Sequence, residues 1–212
     1  MKFLPTSTGG RVRLAALVAV LLGGCAAYRV DRVAAYWLAD KREGDIVFQS
    51  LPHGELVDAI EGVTQSEWSH CGILILRNDT WYVAEAIGEV RYTPLYLWVS
   101  RGRASKVAAY RVKDLPPDSS QALNSGVRAL LGRPYDFRYA PEDDEIYCSE
   151  LVYKVFDRSL GIRIGTWERL GDLNWEPYEA VIRDMESGGL PLDRMMITPV
   201  GLTRSPLVEQ VH

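Results

Sequence analysis

The feature that most restricts this chain is a pair of apolar runs around a single two-residue turn. His70 to Leu76 and Trp81 to Ala86 read as strands, and Asn78-Asp79 between them closes a hairpin with Arg77 opposite Thr80. Because side chains alternate along a strand, that register sets Glu85 opposite Gly72 and diagonal to His70, with both side chains on one face. A carboxylate inside Val83-Ala84-Glu85-Ala86-Ile87 is costly to bury unless hydrogen bonds offset its lost hydration, and an imidazole nitrogen supplies one. The plainer alternative is a Glu pointing to solvent from a half-exposed strand. Glycine at 72 is expected to leave room between the two side chains. By the same alternation Cys71 faces away from His70, so Cys71 reads as core and Cys148 as free.

The remaining pattern frames this hairpin. Asp45 to Gln49 reads as a strand, Glu55 to Val63 as a helix, Val90 to Thr93 and Val107 to Val112 as strands, and Leu95 to Val99 as a short helical piece. After Pro116 and Pro117, Asp118 or Ser119 can cap a helix with the stripe Leu123, Val127, Leu130 and Leu131, which Gly132 stops. A second helix is expected from about Tyr147 to Leu160, with Cys148, Leu151, Val152, Val155 and Phe156 on its packed face. The tail beyond Gly188, rich in Pro and turn residues, reads as a wrapping segment. With no repeat and no dividing linker, the fold class is α+β in one domain.

The supply of reactive side chains narrows the chemistry. Only three histidines exist; His212 is the last residue and His53 sits in a polar turn, which leaves His70 as the candidate base. With so few imidazoles, no closely spaced cysteine pair and no His-Glu-x-x-His run, neither a metal site nor a cofactor is expected. The net charge of −4 becomes more negative if a leader bearing Lys2, Arg11 and Arg13 is removed, which argues against nucleic acid as a partner. Cys148 is the best nucleophile. A thiol at a helix amino terminus faces unpaired backbone N–H groups and the positive end of the helix dipole, which favour the thiolate and can hold an oxyanion. The alternative is a buried helical cysteine that packs as a small hydrophobe.

The first residues carry an address. Lys2, Arg11 and Arg13 precede an apolar run from Leu14 to Leu22, too short to span a bilayer that needs ~20 residues, followed by Gly23-Gly24-Cys25. Residues 1–24 are therefore read as an export signal. Leu22-Gly23-Gly24-Cys25 resembles the lipobox of bacterial lipoproteins, which implies that Cys25 is acylated and becomes the first residue. Ala26 in the next position, by resemblance to lipoprotein sorting, favours the outer membrane. Residues 25–43 then form a lipid anchor and an amphipathic lead-in carrying Val30, Val33, Ala34, Trp37 and Leu38. The expected location is the bacterial cell envelope, lipid-tethered and facing the periplasm. A signal cleaved elsewhere, or a buried helix with a chance cysteine, is the other reading of this segment.

Four ordered blocks carry a family resemblance. Leu131-Gly132-Arg133-Pro134-Tyr135 and, twelve residues on, Cys148-Ser149-Glu150-Leu151-Val152 resemble the nucleophile region of NlpC-type papain-like cysteine peptidases. There the cysteine precedes the histidine, whereas here Ser69-His70-Cys71-Gly72 comes first, the inverted order of the circularly permuted branch. Within it, Gly44-Asp45-Ile46-Val47-Phe48-Gln49, Trp68-Ser69-His70, Ala84-Glu85-Ala86 and Tyr147-Cys148-Ser149-Glu150 are similar to the YiiX/YaeF-like family, over roughly residues 44 to 160. The resemblance implies a circularly permuted papain-like fold over 44–212, an antiparallel sheet packed against the nucleophile helix, and a triad of Cys148, His70 and Glu85. It also implies Tyr135 as an oxyanion or substrate contact. Tyr147 stands where the wall-cutting relatives usually carry an aspartate, so their substrate is not inherited with the fold. The function expected is a membrane-tethered cysteine hydrolase acting through an acyl-enzyme on a cell-wall peptide or a lipid-like amide or acyl substrate. The alternative is a catalytically idle envelope lipoprotein that binds peptide or lipid fragments.

Overall fold

A computed structural model describes residues 39–140 and 142–212. The export signal, Cys25 and the lead-in helix through Leu38 lie outside the described residues. The principal elements, in chain order, are β1 (Ile46–Gln49), α1 (Glu55–Thr64), β2 (His70–Arg77), β3 (Thr80–Ile87), β4 (Glu89–Pro94), α2 (Leu95–Arg101), β5 (Val107–Val112), α3 (Ser119–Leu130), α4 (Cys148–Leu160), β6 (Glu168–Arg169), α5 (Glu179–Met185), β7 (Met195–Met196), α6 (Pro199–Thr203) and β8 (Val208–Gln210).

Six strands form one antiparallel sheet in the order β4-β3-β2-β1-β5-β8. Its register starts at the predicted turn: Arg77 pairs with Thr80 and Ile73 with Ala84. Asn78 and Asp79 both take positive φ, 47° and 59°, as a two-residue hairpin turn with the twist of the flanking strands requires. Gly72 has a different role from the one its sequence context suggests. A Cβ there would lie 2.4 Å from Val83 Cγ1 and 2.6 Å from the Ala84 carbonyl, so close approach of β3, not space for His70 and Glu85, demands glycine.

The alternation of β-strands divides the core in two. Ile46, Phe48, Cys71, Ile73, Ile75, Ala84 and Ala86 face α3 and α4, while Val47, Leu74, Val83, Val107 and Ala109 face α2. Helix α4 holds to the first face through Leu151, Val152, Val155 and Phe156, all buried, each worth about 1.5–3 kcal/mol relative to exposure. It ends at Gly161, whose left-handed φ of 70° lets its N–H return to the last turn. Helix α3 stops at Leu130, short of Leu131, and Asp118 occupies its cap position without a side-chain cap bond.

The tail does more than wrap. β8 pairs with β5 and extends the sheet at that end, and β7 pairs with β6 as a separate two-stranded ribbon. Strands of two or three residues carry too few side chains to show a period, which is why the sequence reads as a plain coil there.

Candidate active site

His70 and Glu85 meet as their register requires. His70 opens β2, Glu85 sits near the end of β3, both are buried, and Nε2 of His70 lies 2.5 Å from Oε2 of Glu85. The carboxylate has further donors. Arg101, at the end of α2, reaches Oε1 at 3.1 Å and Oε2 at 2.6 Å with its two terminal nitrogens, and the Thr93 hydroxyl donates to Oε1 at 2.5 Å. Burial pushes the Glu85 carboxyl up, but the bonds from His70 and Arg101 outweigh it and hold the group at about 2.

Cys148 is the first residue of α4, buried, with Tyr147 in the cap position. Its thiol is near enough to the His70 imidazole and the Cys71 thiol for both to act on its acidity. With Nε2 of His70 committed to Glu85, Nδ1 is the nitrogen left for the sulfur. The Cys71 thiol and the imidazole together, against the cost of burial, hold Cys148 well below an ordinary thiol. Burial pulls His70 down, yet the bonds to Cys148 and Glu85 raise it to about 9. Cys71, buried and donating to the neighbouring sulfur, is pushed up. The resting state this favours is a thiolate beside an imidazolium, with Cys71 retaining its proton.

Cys71 is core and Cys148 is free, as predicted. Alternation sends Cys71 to the face opposite His70, and α4 docks on that same face, so this core residue is also a neighbour of Cys148. No disulfide forms; both thiols are free and buried. Imidazole and thiolate meet because His70 is the first residue of its strand, at the rim of the sheet where the two faces come together.

Tyr135 and Tyr139 complete the surroundings. Burial holds both hydroxyls in the protonated form, and they interact with each other and with the charge on Cys148. Tyr147 packs its ring 4.7 Å from that of Tyr139 and accepts the Ile197 N–H on its hydroxyl. Glu150, one turn into α4, accepts the Tyr147 N–H at 3.3 Å and pairs with Lys154 at 2.5 Å, tying the start of the helix in place. Burial raises its carboxyl to about 7.

Sequence reading passed over Arg101, Thr93 and Tyr139. Arg101 gives no local sign of its partner, since it lies on a different element from Glu85. Thr93 pairs with Val83 across β3 and β4, which puts it on the Glu85 face; extending the period-2 argument to the next strand finds it. His53, by contrast, is exposed and pairs with Asp58. Among the described residues no three His, Cys, Asp or Glu side chains are grouped to hold a metal ion.

Comparisons with known proteins show the family and the fold. The model of the family described as "permuted papain-like amidase enzyme, YaeF/YiiX, C92 family" matches residues 40–212. Protein YiiX of Escherichia coli strain K12 is 35% identical over 171 residues, covering 79% of this chain and 84% of that protein. The crystal structure of metalloprotein YiiX from Escherichia coli O157:H7 superimposes with a TM-score of 0.77 at 34% identity, over 81% of this chain and 96% of that one.

Proposed function

Because this chain belongs to the YaeF/YiiX, C92 family of permuted papain-like amidases, we propose that it is a cysteine hydrolase whose nucleophile is Cys148, with His70 as acid and base and Glu85 as the residue that orients His70. One observation carries the reading: a buried thiol at a helix start lies under the influence of an imidazole whose Nε2 is held by a carboxylate. The Cys148 thiolate attacks a substrate carbonyl, the backbone N–H groups at the start of α4 receive the oxyanion, and the Tyr135 hydroxyl adds a neutral donor. The carbon–sulfur bond forms as the bond to the leaving group breaks, and the His70 imidazolium gives its proton to the departing nitrogen or oxygen. Neutral His70 then takes a proton from water, the hydroxide displaces the thiolate from the acyl carbon, and the resting pair is restored. Glu85 stays ionised throughout, since Arg101 and Thr93 hold its charge whichever form His70 takes.

The substrate class proposed is an amide or acyl compound of the cell envelope, reached from a lipid tether on Cys25 at the periplasmic face of the outer membrane. The lipobox-like Leu22-Gly23-Gly24-Cys25 supports that tether. Metal binding is stated for the O157:H7 protein; among the described residues no three His, Cys, Asp or Glu side chains are arranged to hold a metal ion, and no step here runs through one.

The test is alkylation of the full chain with iodoacetamide at pH 6 to 7. Modification of Cys148 ahead of Cys71, followed by loss of amide or ester turnover, is expected; an inert Cys148 overturns the assignment. Palmitate labelling that persists in Cys25→Ser would overturn the tether.

A further inference from the structure

Tyr139 stands in a backbone conformation that its side chain does not favour. Its φ of 54° lies in the left-handed region, where the Cβ of a bulky residue crowds the backbone. Asp136 and Arg194 hold it there. The buried Asp136 carboxylate accepts the N–H groups on either side of Tyr139, from Arg138 at 2.8 Å and from Ala140 at 2.5 Å. The Arg138 carbonyl accepts a bond from Arg194, which is itself paired with Glu186. Strain of this kind persists only where the surroundings over-determine it, and it gathers at functional sites.

What the strained residue brings to the site is one hydroxyl. The Tyr139 ring packs 4.7 Å from that of Tyr147, the residue before Cys148, and Tyr147 is in turn fixed by the Ile197 N–H on its own hydroxyl. The Tyr139 hydroxyl is buried and has no hydrogen-bond partner among the described residues, although Tyr135 and Cys148 both lie near enough to act on its acidity. A buried hydroxyl without a partner is unfavourable. Burial keeps this one protonated, so a donor lacking an acceptor sits near the sulfur. The reaction itself makes an acceptor there, because attack by the sulfur turns the substrate carbonyl oxygen into an oxyanion. Resting on the hydrolase reading above, we propose that Tyr139 is a further catalytic residue, whose hydroxyl donates to that oxyanion together with Tyr135 and the backbone N–H groups of α4. A donor that finds its acceptor only in the transition state speeds the chemical step without tightening substrate binding.

The test sets two reactions of the same sulfur against each other in the full chain. With p-nitrophenyl acetate the thiolate adds to the carbonyl carbon, an oxyanion forms, p-nitrophenolate leaves as the oxyanion collapses, and water then frees acetate from the sulfur. With iodoacetamide the sulfur displaces iodide from a saturated carbon, and no oxyanion forms. Tyr139→Phe deletes the oxygen and keeps the ring. It is expected to lower kcat and kcat/KM for the ester equally, by about 100-fold, while alkylation of Cys148 at pH 6.5 stays within about twofold of the native rate. Ester turnover that is unchanged in Tyr139→Phe overturns the role. An equal fall in both reactions overturns it as well, because a side chain that only supports the fold does not tell them apart. Either outcome leaves the native chain acylated on Cys148 and the hydrolase reading standing. If the ester does not acylate Cys148 in the native chain, the hydrolase reading falls and this role falls with it.

Discussion

The two faces of the central sheet meet at the start of β2, and they are built differently there. On the α4 side the groups around the Cys148 sulfur are neutral, the Cys71 thiol and the protonated Tyr135 and Tyr139. On the α2 side His70, Glu85 and Arg101 form a chain of alternating charge with Thr93 as an extra donor. The Cys71 thiol favours the thiolate from the neutral side and the His70 imidazolium favours it from the ionic side, against the cost of burial. The contrast teaches that acidity is supplied from both sides of the rim: the neutral face gives a donor to the sulfur, and the imidazole brings the charge of the ionic face to it.

The sharpest way to break this division is to remove the sulfur. Cys148→Ala is expected to lower turnover by about 10⁴-fold or more with the fold intact; retained turnover, measured beside an unchanged circular dichroism spectrum, would mean that the chemistry does not cross the rim. Next in size is the ionic face alone. Glu85 ionises at about 2 in the fold against 4.5 for the free group. An acid with a depressed pKa adds stability that is complete above 4.5 and lost as pH falls toward 2. The amount is about 3 kcal/mol. Denaturant titrations at pH 6 and pH 2.5 should show most of that loss in the native chain and much less in Glu85→Gln.

His70→Ala tests the crossing itself. A thiol returned to an ordinary pKa is roughly 1% ionised at pH 6.5, so iodoacetamide alkylation of Cys148 should slow about 100-fold, and an unchanged rate would assign the acidity to the α4 side. In the native chain, amide turnover should decline as pH rises through about 9, where His70 gives up the proton it must donate. The smallest effect is expected within the neutral face. Cys71→Ala removes one donor to the thiolate and should slow alkylation at pH 6.5 several-fold, with the pH midpoint moved upward; a loss as large as that of His70→Ala would make the Cys71 thiol and the His70 imidazole equal partners and erase the contrast.

Legibility followed the range of the interaction. Strands β2, β3 and β5, helix α4 and the pairing of His70 with Glu85 rest on patterns a few residues long, and they were readable to within a residue or two. Arg101 was not, because its tie to Glu85 depends on how α2 packs under the hairpin. Cys71 was half readable: period-2 alternation gave its face, but nothing local tells which face a later helix will cover. The small strands β6, β7 and β8 owe their pairing to partners far along the chain and have no period of their own.

By itself the chain determined the hairpin register, because a two-residue turn and a side-chain period of two are local constraints that leave one solution. It also determined that Cys148 would head a helix, since the stripe behind that residue repeats at helical spacing. Only the tertiary structure decided that α4 covers the Cys71 face, that Arg101 closes on Glu85, and that sulfur and imidazole meet at the rim. Those contacts join elements whose docking is fixed by the shape of a shared core, and no short stretch of sequence encodes that shape.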